Sequence, residues 1–495
     1  MFKKLLCLSV TVFLVVVSIA SFAEEKVSNE YVSEKIIGNI DYSPLLFLAS
    51  PDGKRVAYVA NAEGKQFVVV DGKEGKRYDT IGANLTFSPD GKHFAYGAQS
   101  GGKQLVVFDG NEGQQYDGVG PVFIFSPDGK HFAYGAQSGS KQFVVVDGKA
   151  GKQYDSIGSS IVFSPDSGKI VYAARTEKNC FIVLDGKEGN IYEGVGSPFV
   201  FSPDSKHFAY GGQSGSKQFV VVDGKAGKQY DSIVSTIIFS PDSRDLIYLA
   251  KSGSKHFVVI NEKEEKQFNF IRPGSAFSPD GKHFAYITEI DKKWFAVVDG
   301  KESKSYDAIG SGITFSPDSK RMAYAAQSGN KRFVVVDGQE GNTYNNISPI
   351  LVFSPDSKRL AYMSRVGDKQ FAVVDGKEGK RYDAIGNLTF IFSPDSRRMA
   401  YGAQSEKRRF VVVDGKEGNQ YDAILYIVFS PDSKNLISVV QSGNRQILMV
   451  NEKEVKEYDG IMALEKGSIV FDSPDSFHFL AFKDKSICLV EVKIK

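Results

Sequence analysis

The chain has 495 residues, 42% hydrophobic and 24% charged, with 61 Lys and Arg against 59 Asp and Glu. That near-balance gives no field to gather nucleic acid or an anionic membrane surface. Three cysteines are too few for a disulfide framework, and the length exceeds what one ordinary core supports, so several packing units are expected.

The first expected element is a leader. Lys3 and Lys4 precede an apolar run from Leu5 to Ala20, and Ser21-Phe22-Ala23 offers small residues at the two positions a signal peptidase reads. The run is sixteen residues, short of the roughly 20 that span a bilayer. Residues 1–23 are therefore read as a signal peptide cut before Glu24, leaving a soluble chain in the periplasm or outside the cell. Cys7 lies at the front of the run, which argues against lipoprotein processing. The two remaining cysteines, Cys180 and Cys488, are expected to be unpaired thiols.

Ser-Pro-Asp or a close variant then recurs twelve times, with prolines at 51, 89, 127, 165, 203, 241, 279, 317, 355, 394, 431 and 474. The first eight intervals are all 38 residues, which is the signature of a repeat architecture. Within one copy, IVFSPD reads as a short strand ending in a type I turn. HFAYGG is a second strand and QSGSK a polar connection. QFVVVDG is a third strand, and its consecutive valines imply burial on both faces. DGKAGK closes a hairpin, and QYDSI reads as a more polar fourth strand at the rim. Four short antiparallel strands per copy, with no amphipathic helix, predict one blade of an all-β propeller per repeat. A parallel β-helix is the weaker alternative, because its coils are shorter and lack this hairpin chemistry.

FSPDGKHFAY followed by FVVVDG resembles the WD40-like repeats of TolB-type propellers, and is similar to the propeller domain of prolyl-oligopeptidase-type enzymes. The resemblance runs from Pro51 to the end of the chain. It implies the fold and little about function, since propellers host unrelated roles.

The last copy has room for three strands, so the fourth is expected from Ser33–Gly38 near the N-terminus. At the seam between copies six and seven the usual DGKEGK becomes NEKEEK, and Arg272-Pro273 appears. Together with the six-bladed norm of TolB-type rings, this favours two six-bladed propellers over residues 24–265 and 266–495, with Lys266–Ile271 closing the second. Copy eleven carries a similar VNEKEVKEYDGI where no boundary is expected, and one twelve-bladed ring is the alternative.

Motifs of catalysis and ligation dissolve into the repeat. Gly97–Lys103 matches the phosphate-loop spacing but joins two antiparallel strands and lacks the following Ser or Thr. GAQSG lacks the spacing of a nucleophile elbow, and no hydrolase domain follows. Of six histidines, His93, His131, His207, His283 and His478 start the second strand, where other copies have Arg. With His256 they form no metal shell. Asp71, Asp109 and their equivalents are turn formers, since DGKEGK lacks the oxygen pattern of a calcium loop. No cofactor and no metal are expected.

The informative residues are those that break the repeat, on the face where the second strand turns into the third: Arg175 and Asn179 in copy four, Glu289, Asp291 and Trp294 in copy seven, Arg365 and Asp368 in copy nine. Aromatics and Arg are favoured interface anchors, so these seven are the candidate partner-binding residues. The expected function is an exported, non-catalytic scaffold that binds a protein, peptide or envelope polymer through one loop face or the channel. An enzyme with its site in the channel is the alternative, disfavoured by inner strands that read apolar up to the turn. A glycan-binding module would need aromatics repeated once per blade on one face, for which the Tyr of YDxI is the candidate series.

Overall fold

Each blade follows from two turns that only certain residues make. In blade 3 the strands Gly118–Phe125, Phe132–Ser138, Lys141–Val146 and Lys149–Ala150 form an antiparallel sheet in chain order. Between the first two, the Ser126 hydroxyl donates to Asp128 (2.6 Å) and accepts from the His131 amide (2.9 Å), closing the SPDG turn around Gly129 at φ +73°. The hairpin after the third strand needs two consecutive left-handed residues, and Asp147 (φ +49°) and Gly148 (φ +75°) supply them. The Asp147 carboxylate accepts the Phe132 amide on one oxygen and meets His131 Nδ1 on the other. Turn and second strand are thereby tied together.

The structure, a computed structural model, describes residues 32–40, 45–234, 237–310, 312–386, 390–464 and 467–494, with the backbone alone at 83 and 273–275. The expected signal peptide lies outside the described residues. Twelve sheets of this kind follow one another. First strands of neighbouring blades touch, as Gly118–Phe125 does with both Thr80–Phe87 and Ser156–Phe163, so they form the inner edge. In the third strand the run Phe143, Val144, Val145 is buried throughout, because one face packs on the preceding blade and the other on the following one. One detail differs from expectation. QYDSI does not stay together: Tyr154 bridges back to Gln142, while Ser156 and Ile157 already belong to the first strand of blade 4.

Every neighbouring pair of blades shares a buried apolar cluster, and that settles the ring. Between blades 6 and 7, Ile247, Leu249 and Val258 pack on Phe284, Tyr286 and Val297 around Phe268 and Ile271. Blade 12 meets blade 1 in the same manner, with Leu480 and Ile487 against Val56, Tyr58, Phe67 and Val69. The N-terminal strand Val32–Asn39 pairs antiparallel with the C-terminal strand Ser486–Lys493, so blade 12 is shared between the chain ends. Ser33–Gly38 thus supplies the missing strand as expected, but it closes a single twelve-bladed ring.

The expectation of two six-bladed rings is corrected here. Lys263–Phe268 stays in blade 6, where Phe268 pairs with His256, and Phe270–Phe277 opens blade 7, so position 265/266 falls inside a strand. The physical reason is that NEKEEK makes the same hairpin as DGKEGK. Asn261 (φ +48°) and Glu262 (φ +66°) take the left-handed pair, and Asn261 Oδ1 accepts the Leu246 amide as the usual aspartate would. Its Nδ2 donates to Asp245, which stands where most other blades have His or Arg. Donor and acceptor have been exchanged, and the blade is unchanged. Replacing the glycine of the DG pair with Glu262 carries a conformational cost of about 1 kcal/mol, without altering the topology.

Polar ties repeat around the ring. Lys76–Glu112, Lys152–Glu188, Lys228–Glu264, Lys304–Glu340 and Lys380–Glu417 link neighbouring rims at 2.6–2.8 Å. Exposed pairs of this kind contribute about 0–1 kcal/mol each, so the apolar clusters carry the stability. Cys180 is half-buried, Cys488 is buried, and both are free thiols.

Candidate functional site

The face bearing the candidates is built from the turn between second and third strands and from the crossing residue that leads into the next blade. In the regular copies that crossing residue is Asp. Asp117 accepts the Gly139 amide of the next turn (2.7 Å) and pairs with the Lys103 ammonium of its own blade. Asp155 does the same with Glu177 N and Lys141, and Asp231 with Gly253 N and Lys217. These contacts hold the carboxyls below their ordinary range: the backbone amide leads for Asp117 and Asp155, and the lysine for Asp231. A third-strand Gln completes the junction, as when Gln104 Oε1 accepts the Val119 amide (2.7 Å).

The departures alter this pattern locally. In blade 4, Arg175 and Asn179 are exposed and flank a turn in which Glu177 takes φ +53° where most other copies place Gly. In blade 7, Glu289 and Trp294 are directly opposite on neighbouring strands, and Asp291 (φ +50°) and Lys292 (φ +64°) make the turn. A non-glycine residue in this region carries strain of about 1 kcal/mol or more. In blade 9, Arg365 donates to the Gly367 carbonyl (2.8 Å) and pairs with Asp368 at 3.3 Å, both within one turn. The structure therefore brings Glu289 beside Trp294 and Arg365 beside Asp368, and does not join the three blades into one site, since blades 4, 7 and 9 occupy separate places around the ring.

Trp294 is half-buried and is the centre of the most distinctive cluster. The Arg272 guanidinium lies 4.2 Å from its ring centroid, and Phe270 meets it edge-on at 6.1 Å. His256 of blade 6 approaches Phe270 at 6.0 Å. Arg272 also donates to the carbonyls of Ile309 (2.7 Å) and Gly310 (2.9 Å) in blade 8. Sequence reasoning noticed Arg272 only as a sign of a domain seam and missed Phe270 and His256. Phe270, 40% exposed, was findable as a large apolar residue where most copies begin the first strand with a small one.

The opposite face repeats one contact in most blades. His93, His131, His207 and His283 each hold the turn aspartate of their own blade at 2.7–2.8 Å, one per blade, and do not converge. The SPD carboxylates sit beside a serine hydroxyl, which is the leading cause of their depression; Asp204 and Asp280 fall to about 2. Because these folded values lie below the unfolded one, the stabilisation is present above pH 4 and is lost as pH falls towards 2. Thermal melts at pH 5, 4, 3 and 2 are expected to show a falling midpoint across that window, shifted upward in pH by removal of the SPD hydroxyls (Ser202→Ala with Ser278→Ala).

The tyrosine series considered for glycans is buried: Tyr154 is 1% and Tyr230 0% exposed, wedged edge-on against Tyr172 and Tyr248 of the next blade. It offers no stacking platform. Between the inner halves of neighbouring blades, small residues leave grooves of about 270 Å³, one lined by Gly118–Val122, Gln137, Gln142 and Gly158. Among the described residues no helix is long and apolar enough to cross a membrane.

No family model matches the chain, and no curated protein matches it. Solved structures do. A eukaryotic initiation factor is 13% identical, covering 66% of this chain and 97% of its own, with a TM-score of 0.33. The β-propeller domain of the Trilobed protease from Pyrococcus furiosus is 16% identical over 51% of this chain and 93% of its own, with a TM-score of 0.25. TolB from Acinetobacter baumannii is 12% identical over 50% and 77%, with a TM-score of 0.24. Each blade runs in chain order from its inner to its outer strand, except blade 12, whose outermost strand comes from the N-terminal end.

Proposed function

We propose that the chain is an exported, non-catalytic propeller scaffold that binds a protein or peptide partner through the face carrying Arg175, Asn179, Glu289, Asp291, Trp294, Arg365 and Asp368. The observation that carries the reading is the Trp294 cluster. A single tryptophan, an arginine stacked on it and an exposed phenylalanine stand where the cross-strand row of the regular repeat has a pair of glutamines. Trp and Arg are the residues most often responsible for interface energy. The inner edge supports a scaffold rather than a channel enzyme. Its first strands expose apolar side chains, among them Leu46, Phe270, Ile350 and Leu425. A channel active site needs unlike ionisable groups converging on one point.

The test is capture of partners from native envelope extracts on the immobilised mature chain, beside the Arg175→Ala/Trp294→Ala/Arg365→Ala variant. Loss of the captured protein by at least tenfold is expected, with the thermal midpoint checked in parallel. Equal capture by a folded variant rejects this face.

A further inference from the structure

We propose that the arc formed by blades 6 to 10 on this face binds an acidic, extended protein segment anchored by an apolar side chain. The inference rests on the scaffold reading above and gives it a ligand chemistry.

The charge pattern carries it. Where the second strand ends and the third begins, cross-strand partners form one row per blade. In blades 2, 3 and 5 that row is Gln99–Gln104, Gln137–Gln142 and Gln213–Gln218. In blades 6 to 10 it becomes Lys251–His256, Glu289–Trp294, Gln327–Arg332, Arg365–Gln370 and Gln404–Arg409. Among the described residues, three of the arginines on this arc are bonded to neutral oxygens and to no carboxylate. Arg272 donates to two backbone carbonyls, Arg332 to the side-chain oxygens of Gln327 and Asn346, and Arg409 to Gln404 Oε1 (3.2 Å) and the Asp422 carbonyl (2.9 Å). Guanidinium groups hydrogen-bonded to neutral oxygens keep their full charge and remain available to carboxylates.

The crossing residue changes in step. Where Lys141 and Lys217 meet Asp155 and Asp231, Lys255 meets the amide of Asn269 at 2.9 Å. After blade 8 the crossing residue is Asn345, whose side chain accepts from Gly367 N at 3.4 Å in place of the usual aspartate. Two compensating carboxylates have thus become amides within this arc. The acids that remain are mostly matched: Asp307, Asp383 and Asp422 pair with Lys293, Lys369 and Arg408, and Asp368 with Arg365. Glu289, between Phe270 and Trp294, and the turn-tip acids Asp291 and Glu406 complete the set.

Apolar footholds lie along the same arc. Phe270 is 40% exposed beside Trp294, and a groove of about 260 Å³ at blade 9 is lined by Ile347, Pro349, Ile350 and Met363 next to Arg365. Neighbouring sheets pack about 10 Å apart, so the arc spans about 40 Å, the length of roughly twelve extended residues. Carboxylates along such a segment would meet Lys251, Arg272, Arg332 and Arg409 in turn, with one apolar side chain at Phe270 and Trp294 or in the blade 9 groove.

Trp294 is the sole tryptophan, so its emission reports this site directly. The experiment titrates the mature chain with three twelve-residue probes of one pattern, each holding one Phe and one Leu among Glu, Gln or Lys residues, and with a twelve-nucleotide single-stranded DNA. The Glu probe is expected to shift Trp294 emission and to bind at least tenfold more tightly than the Gln and Lys probes at 50 mM salt. Affinity should fall at least tenfold at 0.5 M salt, as screening requires. Arg332→Glu/Arg409→Glu should weaken the Glu probe at least tenfold, whereas Gln99→Glu/Gln137→Glu on the neutral arc should change it less than twofold. Equal binding of the three peptides, tighter binding of the DNA, or an unaffected Arg332→Glu/Arg409→Glu variant overturns the proposal. If the probes fail while partner capture still depends on Trp294, the ligand chemistry is wrong and the scaffold reading stands. If neither depends on this face, both fall.

Discussion

A chain beginning at Ile40, lacking the strand Val32–Asn39, is expected to lose the cooperative melting of the full ring and to aggregate. The strand pairs along Ser486–Lys493 from Val32 opposite Val492 to Asn39 opposite Ser486. Each backbone bond contributes about 1 kcal/mol net, so the pairing as a whole is worth on the order of 5 kcal/mol. More is lost with it. Glu34 bridges Lys456 (3.0 Å) and Lys483 (3.2 Å), and Tyr58 of blade 1 donates to the Asn39 carbonyl at 2.8 Å. Truncation also uncovers Ser486–Lys493 as a long unpaired edge, which invites association with other chains. Thermal melts and size-exclusion profiles check the outcome; a truncated chain that stays monomeric and melts with the full chain would contradict it.

The second large effect is expected at the junction of blades 6 and 7. Leu249 is 1% exposed within the cluster that joins them. Leu249→Ala should cost about 2–5 kcal/mol, the range for deleting a fully buried leucine side chain. The matching change at the junction of blades 11 and 12, Leu448→Ala, removes a residue with no exposure and should cost about the same. Denaturant midpoints measured on both variants check this. A loss below 1 kcal/mol at Leu249 alone would mean that blades 6 and 7 do not pack as other neighbours do.

Much of this fold was legible in the sequence because the propeller writes its turns openly. Ser-Pro-Asp and Asp-Gly mark backbone conformations that few residues adopt, and FVVV marks a strand buried on both faces. The number of rings was not legible. Asn261-Glu262 looks like the loss of a turn, yet it occupies the same left-handed pair as Asp-Gly, and Asp245 has changed in concert to complete the hydrogen bonds. Compensation between residues 16 positions apart is visible only once the strands are paired.

The candidate site divides in a similar way. Glu289, Trp294, Arg365 and Asp368 stood out as breaks in a strict repeat; Glu289 and Trp294 are cross-strand partners, and Arg365 pairs with Asp368 within one turn. Arg272 and Phe270 did not stand out as site residues, because the first strand shifts register between Arg272 and Ala276. No counting along the sequence shows that the guanidinium reaches the Trp294 ring. Nor does charge composition reveal the proposed basic arc, since the whole chain is balanced and the local difference comes from Lys251, Arg332 and Arg409 in place of glutamines together with Asn269 and Asn345 in place of aspartates.

The measurement that bears most directly on the single closed ring is an engineered cross-link between the chain ends. Ser33 and Glu491 are exposed and directly opposite in the blade 12 register. In a Ser33→Cys/Glu491→Cys chain with Cys180→Ser and Cys488→Ser, mild oxidation is expected to give a monomer in which mass spectrometry finds one disulfide, between positions 33 and 491. Two separate rings would place the C-terminal strand against residues 268–271 instead. A folded, monomeric chain in which positions 33 and 491 stay reduced under those conditions would contradict the twelve-bladed ring.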